Sequence, residues 1–420
     1  MKNRVLIHSI VFSPDGVSTA YLYNDIASGL VQSGYDVVVL TTTPHYNVIP
    51  DEMIKQPLKR RLFGLYSISS FQGMKVIHIP LKKYKSTILR IISFVYWHVS
   101  SFFIGLFSIK FDLVISPSPP LTIGLVSAAM ARLKGAKAIY NVQEIYPDLL
   151  INQGNIKSKS LVYLLKRLER IVYQSSAAVT TIDYGFYTKL LPRITDENKL
   201  KVIPNFVDTQ LYRPFEVKSS QLPSEFPPKG DKFVMMYAGN IGYYQDWDPI
   251  ISAAKALRNT SVEFWIIGEG VTKKDLQRQI ETNGLVNIKL FDYQPRHLMP
   301  TLNNLADAHF IVINDRMQSE GFPSKVYSIM ATAKPIIVVT GENAPLYEFL
   351  KDKSCALLVP SYERTGFTSA TEHLMSNQVL AAELGNNGYK VIQKSYTKDA
   401  VIAQYVSLLE SLNNRSGESE

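Results

Sequence analysis

Cysteine is almost absent from this chain: Cys355 stands alone among 420 residues. A single cysteine excludes an intramolecular disulfide and fits a reducing compartment; in its segment Cys355 reads as a buried apolar residue. Histidine is sparse, seven scattered residues without ligand spacing, so no zinc site is expected and the metal expectation is none. Charged residues make up only 19% against 46% hydrophobic, which excludes a disordered chain and calls for large cores. Heptads, internal repeats and low-complexity tracts are missing, removing coiled coils and solenoids from consideration. The opening segment Met1 to Ser9 lacks an apolar h-region with a cleavage site and reads as a short strand entering a loop, so the expected location is cytoplasmic.

Acids are the scarcer charge. The net charge of +9 favours anionic partners, but no nucleic-acid-binding module is recognisable and none is expected to act here. Much of the positive charge lies in residues 55–90, where Lys55, Lys59, Arg60, Arg61, Lys75, Lys82, Lys83, Lys85 and Arg90 alternate with Leu58, Leu62, Phe63, Leu65, Tyr66, Phe71 and Tyr84. Ile91 to Ile109 then contains no Lys, Arg, Asp or Glu. A spanning helix needs about 20 apolar residues, and this run is marginal, with His98 and four serines in it. Three readings stand: an interfacial helix, an ordinary core helix and a true span. The preferred one packs the helix on the protein and presents Tyr96, Trp97, Phe102 and Phe103 to an anionic membrane surface, because a span would separate strand-like segments at 76–79 and 113–116.

At this length two domains of about 200 residues each are expected. The first half alternates strands (5–8, 37–40, 112–116, 138–142, 177–181, 201–204) with helices (19–32, 122–133, 161–174). Residues 213–232, rich in Pro, Ser and Lys, read as a linker. The second half restarts the rhythm with strands at 233–237, 263–267, 288–291 and 308–313 and helices at 247–257 and 273–283. The fold class is therefore α/β, two Rossmann-like doubly wound domains facing a central cleft. The expected boundaries are 1–210, 211–397, and a terminal helix with a polar tail, 398–420, at the junction. Ligands bind outside the carboxyl ends of parallel strands, which directs attention to the loops Asp15-Gly16-Val17, 238–242 and Gly268-Glu269-Gly270. The glycines let backbone approach a ligand.

The most informative stretch is 319–339. Glu320, Gly321, Phe322 and Pro323 form a loop, Ser324 and Lys325 load the start of a short helix, and Ile336 to Val339 read as a buried strand. A helix start of this kind favours a bound phosphate, and Glu320 suits sugar hydroxyls. Phosphate and sugar together suggest a nucleotide-sugar enzyme. Tyr243 and Tyr244 are candidates to stack on a base.

The ordered set 13–19 (SPDGVST), 117–122 (PSPPLT), 141–148 (NVQEIYPD), 203–208 (IPNFVD), 237–242 (YAGNIG), 268–270 (GEG), Ala306-Asp307 and 322–328 (FPSKVYS) resembles GT-B retaining glycosyltransferases of family 4. It is most similar to the bacterial O-antigen, capsule and colanic-acid-type subgroup that includes N-acetyl-L-fucosaminyl transferases. The resemblance covers nearly the whole chain in order. It implies transfer of a sugar from a UDP-, GDP- or dTDP-sugar to a polyprenyl-diphosphate-linked glycan at the inner face of the cell membrane, with no metal and no cofactor beyond the donor. Glu320 matches the first acid of an acid-x7-acid motif; the second falls at Ser328. The usual Arg/Lys diphosphate clamp falls at Asn240 and Gln245, so Lys325, aided by backbone amides near Gly242, becomes the candidate phosphate group. The family's active-site His falls at Gln143, leaving Glu144 as the candidate acid. The catalytic candidates are Glu144, Glu320 and Lys325. The donor-binding candidates are Asp15, Gly16, Val17, Gly239, Asn240, Gly242, Gln245, Gly268, Glu269, Gly321, Phe322, Pro323, Ser324 and Ser328. A nucleotide-sugar epimerase of the same architecture and a membrane-bound scaffold with a decayed site are the alternatives.

Overall fold

The computed structural model describes residues 3–414 except 49, 83, 153, 155, 219, 220, 315–321 and 364. The chain folds as two compact units, Met1–Asn205 with Asp399–Glu420, and Phe206–Lys398.

The first unit is built on a sheet of nine strands among the described residues: β1 (Arg4–His8), β2 (Asp36–Thr42), β3 (Lys59–Arg61), β4 (Tyr66–Phe71), β5 (Met74–Ile79), β6 (Leu113–Pro117), β7 (Lys137–Val142), β8 (Ala178–Thr181) and β9 (Leu200–Val202). Their order is β3-β4-β5-β2-β1-β6-β7-β8-β9. From β5 to β9 all pairings are parallel, and β3 and β4 add an antiparallel edge. That edge arises within the basic 55–90 stretch. Charged residues on a short edge strand block further pairing, and all three residues of β3 are exposed. The second sheet comprises β10 (Phe233–Ala238), β11 (Val262–Ile267), β12 (Ile288–Phe291), β13 (Ala308–Val312), β14 (Ile336–Thr340) and β15 (Ala356–Pro360), in the order β12-β11-β10-β13-β14-β15, all parallel. β13 and β14 are buried along their length and β10 at all but its two end residues, as strands covered by helices on both faces must be. In each sheet the order reverses beside the first strand of its unit, the crevice where such sheets bind ligands.

Two expectations change. Residues 213–232 are not a bare linker, because Phe226 is buried against Phe291 (ring centroids 4.4 Å apart) and Trp265. The terminal helix Lys398–Asn414 packs in the first unit, where a Cβ on Gly29 would lie 2.8 Å from Ile402. Val401, Tyr405 and Leu409 are buried along one face of it.

The apolar run forms the helix Thr87–Ser108, 22 residues long and apolar enough by composition to cross a membrane, with 28% of its most apolar window buried. Ile88, Ile92, Val95, Val99, Phe103 and Phe107 are exposed along one stripe. Trp97, expected at an interface, is instead fully buried and stacked on His8 at 5.1 Å. The helix thus has one face in the core and one apolar face outward.

Candidate functional site

In the second unit, the loops after β10 and β11 lock together backbone to backbone. Gly239 N donates to Ile267 O, and Ile241 N donates to Glu269 O at 2.8 Å. A Cβ on Gly268 would stand 1.9 Å from Gly239 O, and one on Gly270 2.1 Å from Ile241 O. No side chain fits there, which accounts for the glycines. Onto the other side of Gly239 comes Lys325. Its Nζ lies 2.8 Å from the position of a Gly239 Cβ and 3.5 Å from the centroid of the Tyr237 ring. It is buried with no hydrogen-bond partner, and burial pushes it down to about 7 from 10.5. A buried cation-forming group without an acceptor is costly unless a ligand completes it.

The expected amide cradle is not free. Val326 N and Tyr327 N bond to Pro323 O and Ser324 O, Gly242 N bonds to the Gln245 side chain at 2.9 Å, and the helix Lys325–Ala331 has only seven residues. Ser324 makes no side-chain cap. The correction has a simple cause: turn bonds at the helix entry occupy the Val326 and Tyr327 amides, so the buried Lys325 Nζ is the polar group left without a partner at this helix start. Ser328 Oγ bonds back to Lys325 O, so the second acid position is filled by an intrahelical hydroxyl. The Glu269 side chain turns to Lys273 (2.6 Å), which also holds Asp292 (2.6 Å). The Asn240 side-chain amide lies over Gly242, and the Asn240 main-chain carbonyl accepts from the Tyr237 hydroxyl. Phe322 joins an aromatic cluster with Tyr327 and Phe349. Glu320 and Gly321 lie outside the described residues.

In the first unit, Ser118 follows β6 and is buried. Its hydroxyl accepts from Gln143 N (2.9 Å) and Glu144 N (3.1 Å) and donates to Glu144 O (2.9 Å). One hydroxyl thereby fixes the turn that presents Glu144. The Glu144 carboxyl is raised, first by burial, while a hydrogen bond from Tyr146 opposes the rise. Gln143 exchanges bonds with Asn205 (3.1 and 2.9 Å) and donates to Asn141, so its amide is saturated. Asp15 is buried and accepts from His45 N and Tyr46 N, both at 2.7 Å; its carboxylate pins a neighbouring loop. Gly16 N bonds to Tyr46 O, and Val17 caps the helix Ser18–Gln32. This trio therefore shapes the loop after β1.

Two family models match in succession: "Glycosyl transferase 4-like domain" over residues 19–205 and "Glycosyl transferases group 1" over 219–391. The chain is a GT-B glycosyltransferase. The putative colanic acid biosynthesis glycosyl transferase WcaI of Escherichia coli is 23% identical over 80% of this chain and 83% of that relative. The probable glycosyltransferase WbjE of Pseudomonas aeruginosa is 22% identical over 74% and 79%. Among solved structures, sucrose-phosphate synthase from Thermosynechococcus elongatus superposes with a TM-score of 0.75 at 13% identity, over 99% of this chain and 100% of that one. Anabaena HepE in complex with UDP gives 0.70 at 14%, over 98% and 100%.

In this glycosyltransferase, sequence reasoning missed Tyr237, Ser118 and Tyr146. Both Tyr237 and Ser118 lie in stretches that carry the family resemblance, but Tyr237 reads there as one more strand hydrophobe and Ser118 as a turn serine, so neither stands out as a site residue. The expectation of a metal-free site also passed over one acid pair, Asp246 and Asp248. Asp246 Oδ1 accepts from Asp248 N at 3.1 Å at the entry to the helix Asp248–Ala256. Among the described residues no three metal-ligating side chains cluster.

Proposed function

We propose that this glycosyltransferase moves a sugar from a nucleoside-diphosphate sugar to a glycan carried on a polyprenyl diphosphate, during synthesis of a bacterial surface polysaccharide. The observation that carries the donor reading is Lys325, buried without an acceptor against glycine backbone at the strand-order reversal of the second sheet. A diphosphate supplies the missing acceptor. HepE, solved with UDP and with UDP-glucose, supports a donor of this class. WcaI and an O-antigen chain mannosyltransferase of E. coli support the polysaccharide setting.

In the reaction the bond from the anomeric carbon to the diphosphate breaks and a bond to the acceptor oxygen forms. The acceptor proton leaves to a carboxylate or to the departing phosphate. Lys325 neutralises the growing charge on the diphosphate. Glu144, with its carboxyl raised by burial, orients or deprotonates the acceptor, and Glu320 holds donor hydroxyls. Retention of configuration and independence of metal or cofactor follow from the family resemblance. The outward apolar stripe of the helix Thr87–Ser108 and the basic residues before it support peripheral contact with the inner face of the membrane, where a polyprenyl-linked acceptor resides.

The test is calorimetry and nucleotide release with UDP-, GDP- and dTDP-sugars, on the wild type and Lys325→Ala. Micromolar binding of one donor, lost in the variant, is expected. No binding of any donor, with lipid and a polyprenyl-linked acceptor present, would turn the assignment toward a non-catalytic scaffold.

A further inference from the structure

Lys325 sits on a built seat. The Tyr237 ring below its Nζ is held by the bond from the Tyr237 hydroxyl to Asn240 O (2.6 Å), by the edge of Trp247 (5.0 Å) and by Phe310 (5.8 Å). The ring is buried and fixed in place. Gly239 closes one side of the Lys325 nitrogen and is itself backed by Gly268. The titratable groups facing the lysine among the described residues are Tyr237 from β10 and His309 from β13. The His309 imidazole is fully buried, bonded to Asn303 O, and pushed down to about 4, first by burial. Neither group offers the lysine a negative charge. A neutral amine tolerates a ring face and a dry pocket; an ammonium there gains only the cation–π attraction. A diphosphate changes that balance, because its full negative charges favour the ammonium at short range.

Resting on the donor reading above, we propose that Tyr237 is a positioning residue on which Lys325 waits without a full positive charge from neutral pH upward, and that the lysine completes its protonation as the donor diphosphate enters. Donor capture is then coupled to proton uptake, and Tyr237 sets where the ammonium stands when it forms. One proton passes from solvent to the Lys325 nitrogen, no bond to phosphorus changes, and release of the product diphosphate returns the proton.

The test is calorimetry of the full chain with an intact nucleoside-diphosphate sugar, whose diphosphate diester does not titrate between pH 6 and 8. Measurement in two buffers of different ionisation enthalpy counts the protons. With the free lysine at about 7, uptake should be about 0.9 proton per donor at pH 8 and about 0.1 at pH 6. Lys325→Arg, always charged, should bind without uptake. Tyr237→Phe keeps the ring and should keep the wild-type pH profile. Tyr237→Leu should weaken donor binding about tenfold and move the uptake midpoint to lower pH, a shift that loss of packing alone does not produce. Donor binding without uptake at either pH, or uptake unchanged in Lys325→Arg, overturns the inference and leaves the donor site standing. Failure of every donor to bind the wild type overturns both.

Discussion

At Lys325 the fold holds a group at about 7 that an unfolded chain holds at 10.5. Between those values the unfolded chain binds more protons, so stability falls as pH drops from 10.5 toward 7 and is level below. Lys325→Met removes this penalty, on the order of a few kcal/mol at neutral pH. The variant should melt several degrees higher than the wild type without donor, show a flatter stability profile between pH 7 and 10, and lose donor binding. Thermal unfolding across pH, with and without donor, checks all three. Gly239→Ala should act in the opposite sense. Its φ of +152° is rarely adopted by L-residues, and the new Cβ would press on Lys325 Nζ at 2.8 Å. We expect lower stability by about 1–3 kcal/mol and loss of donor affinity, measured by denaturant unfolding and calorimetry. The candidacy of Lys325 for a phosphate is legible from its place at a loop-to-helix junction. Its burial is not, because Tyr237 and Gly239, which enclose it, lie some 90 positions earlier in the chain and only the β10–β13 pairing brings the strands together.

At the scale of elements, the turn after β7 depends on a hydroxyl from the turn after β6. Ser118→Ala leaves the amides of Gln143 and Glu144 without their acceptor, a loss of about 1–3 kcal/mol. If Glu144 serves the acceptor, turnover should fall at least tenfold while donor affinity stays within a factor of two; steady-state kinetics beside calorimetry reads the difference. The helix Thr87–Ser108 makes a second case. Phe107 is 76% exposed and Trp97 not at all. Phe107→Glu should leave the melting temperature within about a degree and reduce sedimentation with anionic vesicles severalfold, more so at low salt, where the new carboxylate is least screened. Trp97→Ala should destabilise the first unit by about 3–5 kcal/mol. Periodicity and composition locate this helix. They do not say which aromatic faces inward, since a helix with no charge beyond Arg90 carries aromatic residues all round and only its neighbours choose the buried stripe.

At the scale of the whole molecule, the chain leaves its first unit at Asn205 and returns to it at Asp399. The two crossovers are tied: Val207 N bonds to Tyr396 O, Lys398 N to Val207 O, and the Lys398 ammonium to Asp208 at 3.0 Å. The returning helix then covers Gly29. Ending the chain at Lys398 should therefore destabilise the N-terminal unit far more than the C-terminal one. Hydrogen exchange of the truncated protein should show protection lost around 18–42 and retained in β10 to β14; equal loss in both units would contradict this account.

The alternation of strand and helix, the position of nearly every parallel strand, and the glycosyltransferase family all follow from the sequence, because hydrophobic period and turn residues are local and the motifs lie in order along the chain. Loop composition also marks where a phosphate could be met. The tertiary structure decides what each marked group can do. It buries Lys325 without an acceptor, spends the Asp15 carboxylate on two amides, saturates Gln143 with Asn205, and raises the carboxyl of Glu144. Charge state and availability depend on solvent exclusion and on partners distant in sequence, which only the folded chain brings together.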